Sequence, residues 1–343
     1  MKEYTKQIQL RVMSEVFPEN VKWLWRGRIP LAKLTIIQGD PGLGKSTIAL
    51  DIAARVSRDN AMPDGTHSDL IAPANVLLMT AEDGLADTIR PRLDALGADS
   101  SRVFTPPNNV HWTIPSCASQ ILEAVKKEDA KLVIIDPLAA YLDMGINSWS
   151  NQHVRQALKQ ISTIAENTGV AFLIIDHLNK RSGVRAIQRG SGSMAFNAAV
   201  RSVLLVGKMP SVENQCVLAS VKCNVAGKPK SLVYKAVMHQ SEDIETVKLE
   251  WSGECDLSAD DLVGDPSNNS IQGKLDEAMD WLRQRLSDGQ GHISKVVQSE
   301  AAQQGITEKT YRRALTRLGI ASRPLGMQGE WVISLPVKMV LAG

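Results

Sequence analysis

Gly39-Asp40-Pro41-Gly42-Leu43-Gly44-Lys45-Ser46-Thr47 is the stretch whose reading decides the fold. It has the G-x-x-x-x-G-K-[ST] spacing of a phosphate-binding loop. Just upstream, Leu34 to Gln38 (LTIIQ) is a short apolar run that reads as a buried strand. Just downstream, Ser46 to Val56 places apolar residues at helical spacing. The glycines therefore fall between a strand and a helix, where a phosphate loop must lie. Glycine lets the backbone turn tightly and aim successive N–H groups at anionic oxygens. The start of the following helix adds partial positive charge at the same place. Gly39, Pro41, Gly42 and Gly44 would shape the loop. Lys45 would reach the β- and γ-phosphates of a nucleotide such as ATP, the Ser46 hydroxyl would ligate Mg²⁺, and Thr47 would support the α- and β-phosphates. An ordinary glycine-rich turn is the alternative, and the flanking strand and helix argue against it.

Working outward, further strands end in acids. Asn75 to Thr80 runs into Ala81-Glu82-Asp83-Gly84. In open α/β sheets, ligand groups gather at the carboxyl ends of strands, so Glu82 is placed to orient a water that attacks the γ-phosphate. Its other reading is an acid in the first turn of a helix expected over Thr88 to Leu96, and Asp83 is the substitute base. Lys131 to Asp136 (KLVIID) is a second apolar strand ending in an acid. This is the Walker B pattern, in which Asp136 holds Mg²⁺ through water. Val170 to Asp176 is a third, and His177 and Asn179 follow it as candidate sensors of the γ-phosphate. Helices are expected over Ile121 to Lys127 and His153 to Thr168, between the strands. This alternation predicts an α/β fold with a mainly parallel sheet. Ser202 to Val206, Gln215 to Val221 and Ser231 to Val237 read as antiparallel strands closing that sheet.

Between Lys180 and Arg201 stand Lys180, Arg181, Arg185, Arg189 and Arg201, with three glycines and no acid. Basic side chains next to a nucleotide site suit nucleic-acid phosphates; a solvated charged loop is the plainer reading. The net charge of +2 is too small to argue for a polyanionic partner by itself. Four scattered cysteines without a C-x-x-C fit reduced thiols better than a disulfide frame or a zinc site. The segment MKEYTKQIQL carries charge and no long apolar run, and no stretch approaches membrane-spanning length. A soluble, cytoplasmic protein without a membrane partner is expected. Trp23 and Trp25 are expected to pack on the edge of the core rather than stack on bases.

Residues 256–270 (DLSADDLVGDPSNNS) are acidic, then rich in Pro, Asn and Ser, and read as a linker between an ATPase domain at 1–255 and a small domain at 271–343. Within the latter, helices are expected over Lys274 to Leu286, Ile293 to Gln304 and Thr307 to Leu318, followed by a hairpin over Ser322 to Leu335. That order suggests a winged-helix-like domain. Its third helix carries Lys309, Arg312, Arg313 and Arg317, a face that could meet DNA or dock a protein partner.

Taken as a set, GDPGLGKST, TAEDG, KLVIIDPLAAYL and LIIDHLNK followed by RGSGS resemble the RecA-like ATPases of the RepA hexameric helicase group, over about residues 20–250. The segment Ala301 to Gly319 also resembles the C-terminal part of members carried by mobile elements. The resemblance implies that Gly44, Lys45, Ser46 and Thr47 bind phosphate and Mg²⁺, that Glu82 is the catalytic base and Asp136 the Walker B acid, and that His177 senses the γ-phosphate. It implies that the loop from Lys180 to Ser193 lines a channel for single-stranded DNA, and that Arg201 is an arginine finger acting on a neighbouring subunit. The related DnaB-like branch supplies its finger from K-x-R. Here the string is Lys222-Cys223-Asn224, so the role falls to Arg201, with Lys222 as an accessory. The implied function is a replicative helicase, working as a homo-oligomeric ring, expected to be a hexamer, in DNA replication, with a replication protein as a possible partner of the C-terminal domain. Two rivals remain: a DNA-binding regulatory ATPase that does not unwind, and an ATPase that remodels or docks a protein.

Overall fold

The computed structural model describes residues 12–107, 109–110, 112–146, 151–177, 199–210, 212–241, 243–262, 269–320, 322–325 and 330–335. The chain separates into two compact units, Met1–Val263 and Gly264–Gly343.

In the first unit, a ribbon of β1 (Trp23–Trp25) and β2 (Ile29–Pro30) precedes β3 (Leu34–Gly39) and α1 (Lys45–Arg58). β4 (Asn75–Thr80), α2 (Arg90–Ala95), β5 (Val103–Phe104), α3 (Ala118–Lys127), β6 (Ala130–Asp136), α4 (Asn151–Thr168) and β7 (Ala171–His177) continue the α/β alternation. β8 (Ser202–Lys208), β9 (Cys216–Cys223), β10 (Ser231–Ser241), β11 (Ile244–Cys255) and the single turn α5 (Ala259–Leu262) complete it. Among the described residues, nine strands form one sheet in the order β11-β10-β9-β8-β3-β7-β6-β4-β5. Neighbours are parallel from β8 to β5 and antiparallel from β8 to β11. This is the expected α/β architecture: a RecA-like core, parallel at its centre and closed by antiparallel strands.

The central strands are apolar on both faces because helices cover both. On one side, Ile36, Val133, Ile135, Phe172 and Ile174 pack with Ile121 of α3 and with Val154, Leu158 and Ile161 of α4. On the other, Ile37, Ile134, Leu173 and Ile175 pack with Ile48, Ile52 and Val56 of α1. Period-2 alternation along each strand sends neighbouring residues to opposite cores. The tryptophans pack as expected. Trp25 is fully buried, its Nε1 donates to Asp64, and the Arg28 guanidinium lies 4.9 Å over its ring.

Several elements differ from the sequence reading. The helix expected to begin at Thr88 begins at Arg90. Before it, Leu85–Ile89 is a widened turn in which Ile89 N–H bonds to the Gly84 carbonyl. Pro91 has no N–H to donate to the Asp87 carbonyl, so a regular i→i−4 ladder begun at Gly84 would be broken there. The twelve-residue β11 has no counterpart in the expected elements. Glu245, Glu250 and Glu254 are among its exposed positions, and only Leu249 and Trp251 are drawn into the core. Within the stretch read as a linker, α5 packs Ala259 and Leu262 onto the first core.

The second unit contains α6 (Asn269–Arg285), β12 (His292–Ile293), α7 (Ser294–Gln303), α8 (Glu308–Arg317), β13 (Arg323–Leu325) and β14 (Glu330–Ile333). Its strands form an antiparallel sheet in the order β12-β14-β13. Ala278 and Leu282 of α6, Val297 and Ala301 of α7, Ala314 of α8 and Ile333 of β14 make a separate core. Thr307 caps α8 by accepting from the Thr310 N–H. Among the described residues, no helix is long and apolar enough to cross a membrane.

Candidate active site

The phosphate loop bridges β3 and α1, in the middle of the sheet. Gly39 leaves β3 pressed against β8: a Cβ there would lie 2.8 Å from the Val206 carbonyl oxygen, so no larger residue fits. Gly44 precedes α1 with φ +80° and has no side chain with which to cap the helix. The first N–H groups of α1 are thus left to an outside acceptor, and the helix dipole favours an anionic one. Gly42 also has a positive φ, and Pro41 and Gly42 are exposed, while Thr47 is buried.

Lys45 is 5% exposed, and its Nζ donates to the Asp40 carbonyl at 2.9 Å, reaching back across the loop. Burial lowers its pKa; the negative charges of Asp136, Asp40, Asp176 and Glu82 resist that shift. Asp136 closes β6 and sits beside Ser46, whose hydroxyl hydrogen-bonds its carboxylate. Burial pushes the Asp136 carboxyl up to about 6; the Ser46 bond opposes the shift, and the nearby Glu82 and Asp83 charges add to it. Carboxyl ends of three strands therefore converge: β3 brings the loop, β6 brings Asp136 and β4 leads into Glu82. The Ala81 N–H binding the Asp136 carbonyl at 3.1 Å ties the last two together.

Glu82 is exposed, whereas Asp83, the substitute base, is held by Arg92 at 2.7 Å. The two acids thus separate by their partners. Ser46 and Asp136 supply one hydroxyl and one carboxylate, hard oxygen donors of the kind Mg²⁺ takes. Among the described residues, no group of three or more His, Cys, Asp or Glu forms a metal cage. Mg²⁺ retains waters and borrows phosphate oxygens, so this sparse donor set fits it.

Arg201 and Lys222 lie at the other end of the sheet. The Arg201 N–H bonds to the Leu34 carbonyl, at the start of β3, while the phosphate loop follows its last residue, Gly39. Five strand residues separate the two levels, about 17 Å at the usual rise. Arg201 is exposed; Lys222 Nζ donates to the Val200 carbonyl of its own chain at 2.9 Å. His177 ends β7 in register with Gly39, beside the loop, but its side chain lies outside the described residues. Asn179, Lys180, Arg181, Arg185 and Arg189 also lie outside them.

Sequence reasoning missed the layer beneath the loop. Gln38 and Asp176 pair across β3 and β7 at 3.3 Å, both buried. Tyr234 on β10 donates its hydroxyl to the Leu43 carbonyl. Trp251 on β11 donates to Asp51 of α1 at 3.0 Å. These partners stand 138, 191 and 200 residues apart, and no local pattern announces them.

Comparison with known proteins agrees with this geometry. A DNA repair protein RadA of Halalkalibacterium halodurans is 29% identical over 160 residues, which is 46% of this chain and 30% of that protein. The DNA repair protein RadA of Bacillus subtilis is 24% identical over 160 residues, with the same coverage of 46% and 30%. Protein RecA of Deinococcus radiodurans is 25% identical over 278 residues, 77% of this chain and 69% of that one. The match thus spans less than a third of the RadA proteins, but most of the RecA protein. These similarities, with the fold, are those of a RecA-like P-loop ATPase. The AAA domain matches residues 7–183, from ahead of β1 to beyond β7, and the chain belongs to that family.

Proposed function

We propose that the chain hydrolyses ATP at the interface between copies of itself and uses the cycle to move on single-stranded DNA, as a RepA-type helicase. The observation that supports this best is the meeting of Lys45, Ser46, Asp136 and Glu82 around an uncapped helix N-terminus. Backbone N–H groups of the loop and of α1 receive the phosphates. Lys45 exchanges the neutral Asp40 carbonyl for phosphate oxygens, a charge-assisted and stronger bond. Ser46 and Asp136 would hold Mg²⁺, which when bound would neutralise charge on the phosphate oxygens. Glu82, exposed and without the arginine partner that Asp83 has, orients the attacking water and takes its proton. Arg201 is too far from its own loop, which supports a role against the nucleotide of a neighbouring copy in a ring, a hexamer on the RepA pattern. Lys180, Arg181, Arg185 and Arg189 would line the path of the DNA, and His177 would report loss of the γ-phosphate to them.

A second reading draws on the relatives named as DNA repair proteins. The same site would then drive assembly on DNA, in repair or regulation, without processive unwinding. For the C-terminal unit, three helices and a three-stranded sheet support a winged-helix role. Arg313 and Arg317 are exposed one turn apart on α8, which favours contact with a DNA backbone over docking of a protein.

The test is ATP turnover with and without single-stranded DNA, over a range of protein concentrations. Stimulation that rises cooperatively with protein is expected. Turnover indifferent to DNA would overturn the motor and leave an ATPase that acts on a protein. Strand displacement then separates helicase from repair or regulatory ATPase.

A further inference from the structure

The antiparallel strands do more than close the sheet. β10 and β11 form a ribbon that runs beneath the phosphate loop and along α1. Tyr234, 1% exposed, donates its hydroxyl to the Leu43 carbonyl at 2.5 Å. The Cys216 thiol on β9 is in hydrogen-bonding contact with the same hydroxyl. Tyr234's ring packs against Trp251 with centroids 5.2 Å apart, and Trp251 stands edge-on to Trp25 at 6.1 Å. The bond to Leu43 is therefore made by a side chain that is itself fixed on several sides.

Its consequence follows from the geometry of one peptide unit. The Leu43 carbonyl and the Gly44 N–H belong to the same planar trans peptide and point in opposite directions. Holding the carbonyl inward, toward Tyr234, turns the Gly44 N–H outward, to the side where phosphate would bind. Nothing in Gly44 enforces this: it has no side chain, its φ is +80°, and a Cβ at its position would have ordinary contacts, 3.7 Å from the Tyr234 ring. Glycine gives the loop its shape and, by the same freedom, lets the peptide turn over. Turned over, it would aim a carbonyl dipole at the phosphates in place of a donor.

We propose that Tyr234 is a positioning residue for nucleotide binding, whose hydroxyl locks the Leu43–Gly44 peptide with its N–H facing the phosphate site. This rests on the reading of the loop as the ATP site. Trp251 acts further along, on Asp51 in the second turn of α1, and steadies the helix rather than the peptide.

The experiment measures binding of ADP and ATP by calorimetry, together with turnover and thermal unfolding, for the wild-type protein, Tyr234→Phe, Trp251→Phe and Lys45→Ala. Tyr234→Phe keeps the packed ring and removes only the donor. The expected result is nucleotide affinity about tenfold weaker, as for loss of one well-placed hydrogen bond, and KM raised by the same factor with kcat nearly kept. Its unfolding midpoint should match that of Trp251→Phe, while Trp251→Phe should bind nucleotide within about twofold of wild type. Wild-type affinity in Tyr234→Phe, with Lys45→Ala binding lost, would overturn the lock and leave the site intact. Equal weakening in Tyr234→Phe and Trp251→Phe would overturn it in favour of general stiffening by the ribbon. Undiminished binding in Lys45→Ala would bring down the site itself, and the lock with it.

Discussion

Burial lowers the pKa of a lysine at each end of the parallel sheet, but the neighbouring charges act in opposite directions. At the carboxyl end, Lys45 is buried among the charges of Asp136, Asp40, Asp176 and Glu82, which help to keep it protonated. At the amino end, burial and the like charge of Arg201 both lower the pKa of Lys222. One end has gathered both signs of charge around a space for phosphate. The other presents two cations side by side, with Arg201 exposed. A single copy therefore has the means to bind nucleotide at one end and an exposed arginine at the other. The proposed arginine finger requires the amino end of one copy to meet the carboxyl end of the next.

The largest expected effect tests that pairing. Arg201→Ala should bind nucleotide normally and lose about 10³-fold or more in turnover, the usual scale for an arginine finger. Mixing it with Lys45→Ala, which retains Arg201, should restore part of the activity, because some interfaces then combine an intact loop with an intact finger. Turnover unaffected by Arg201→Ala would break the comparison at once.

A smaller effect sharpens the carboxyl end. Glu82→Gln should lower turnover by about 10²-fold or more, as for loss of a general base. Asp83→Asn should lose less than about tenfold, since that carboxylate is committed to Arg92. Equal losses would mean that the Arg92 pairing does not separate their roles.

The smallest concerns stability. Asp136 has a folded pKa of about 6, above its ordinary 3.8, so the nucleotide-free and magnesium-free protein bears the ionised carboxylate at a cost above pH 6. Between pH 4 and 6 the folded state binds more protons than the unfolded one, so this cost fades as pH falls. Asp136→Asn should thus be more stable than wild type at pH 7.5, by about 3 kcal/mol at most, with the gap closing below pH 6 and gone near pH 4. Chemical denaturation in chelator at pH 4, 6 and 7.5 measures it. A variant less stable than wild type at pH 7.5 would show that the Ser46 bond outweighs the burial of charge.

Much of the carboxyl end was legible. The loop spacing, the apolar strands and the acids that follow them are all written within nine to a dozen consecutive residues, and β3, β6 and β7 lie within a residue or so of where periodicity puts them. The turn at Leu85–Ile89 was not, because Pro91 acts on hydrogen bonds made before it. β11 was not, because an edge strand that is exposed at half its positions lacks the apolar run that marks the central strands.

By itself, the sequence determined the α/β alternation, the phosphate loop and the candidate acids Glu82 and Asp136. Those depend on short-range backbone geometry and on the period of the apolar residues, which neighbours in the chain carry. Only the tertiary structure decided that Glu82 and not Asp83 is unclaimed by Arg92, that Arg201 stands about five strand residues from its own loop, and that Tyr234 reaches Leu43 across 191 positions. Such pairings are set by strand order and register, and a chain shows neither until its strands have met.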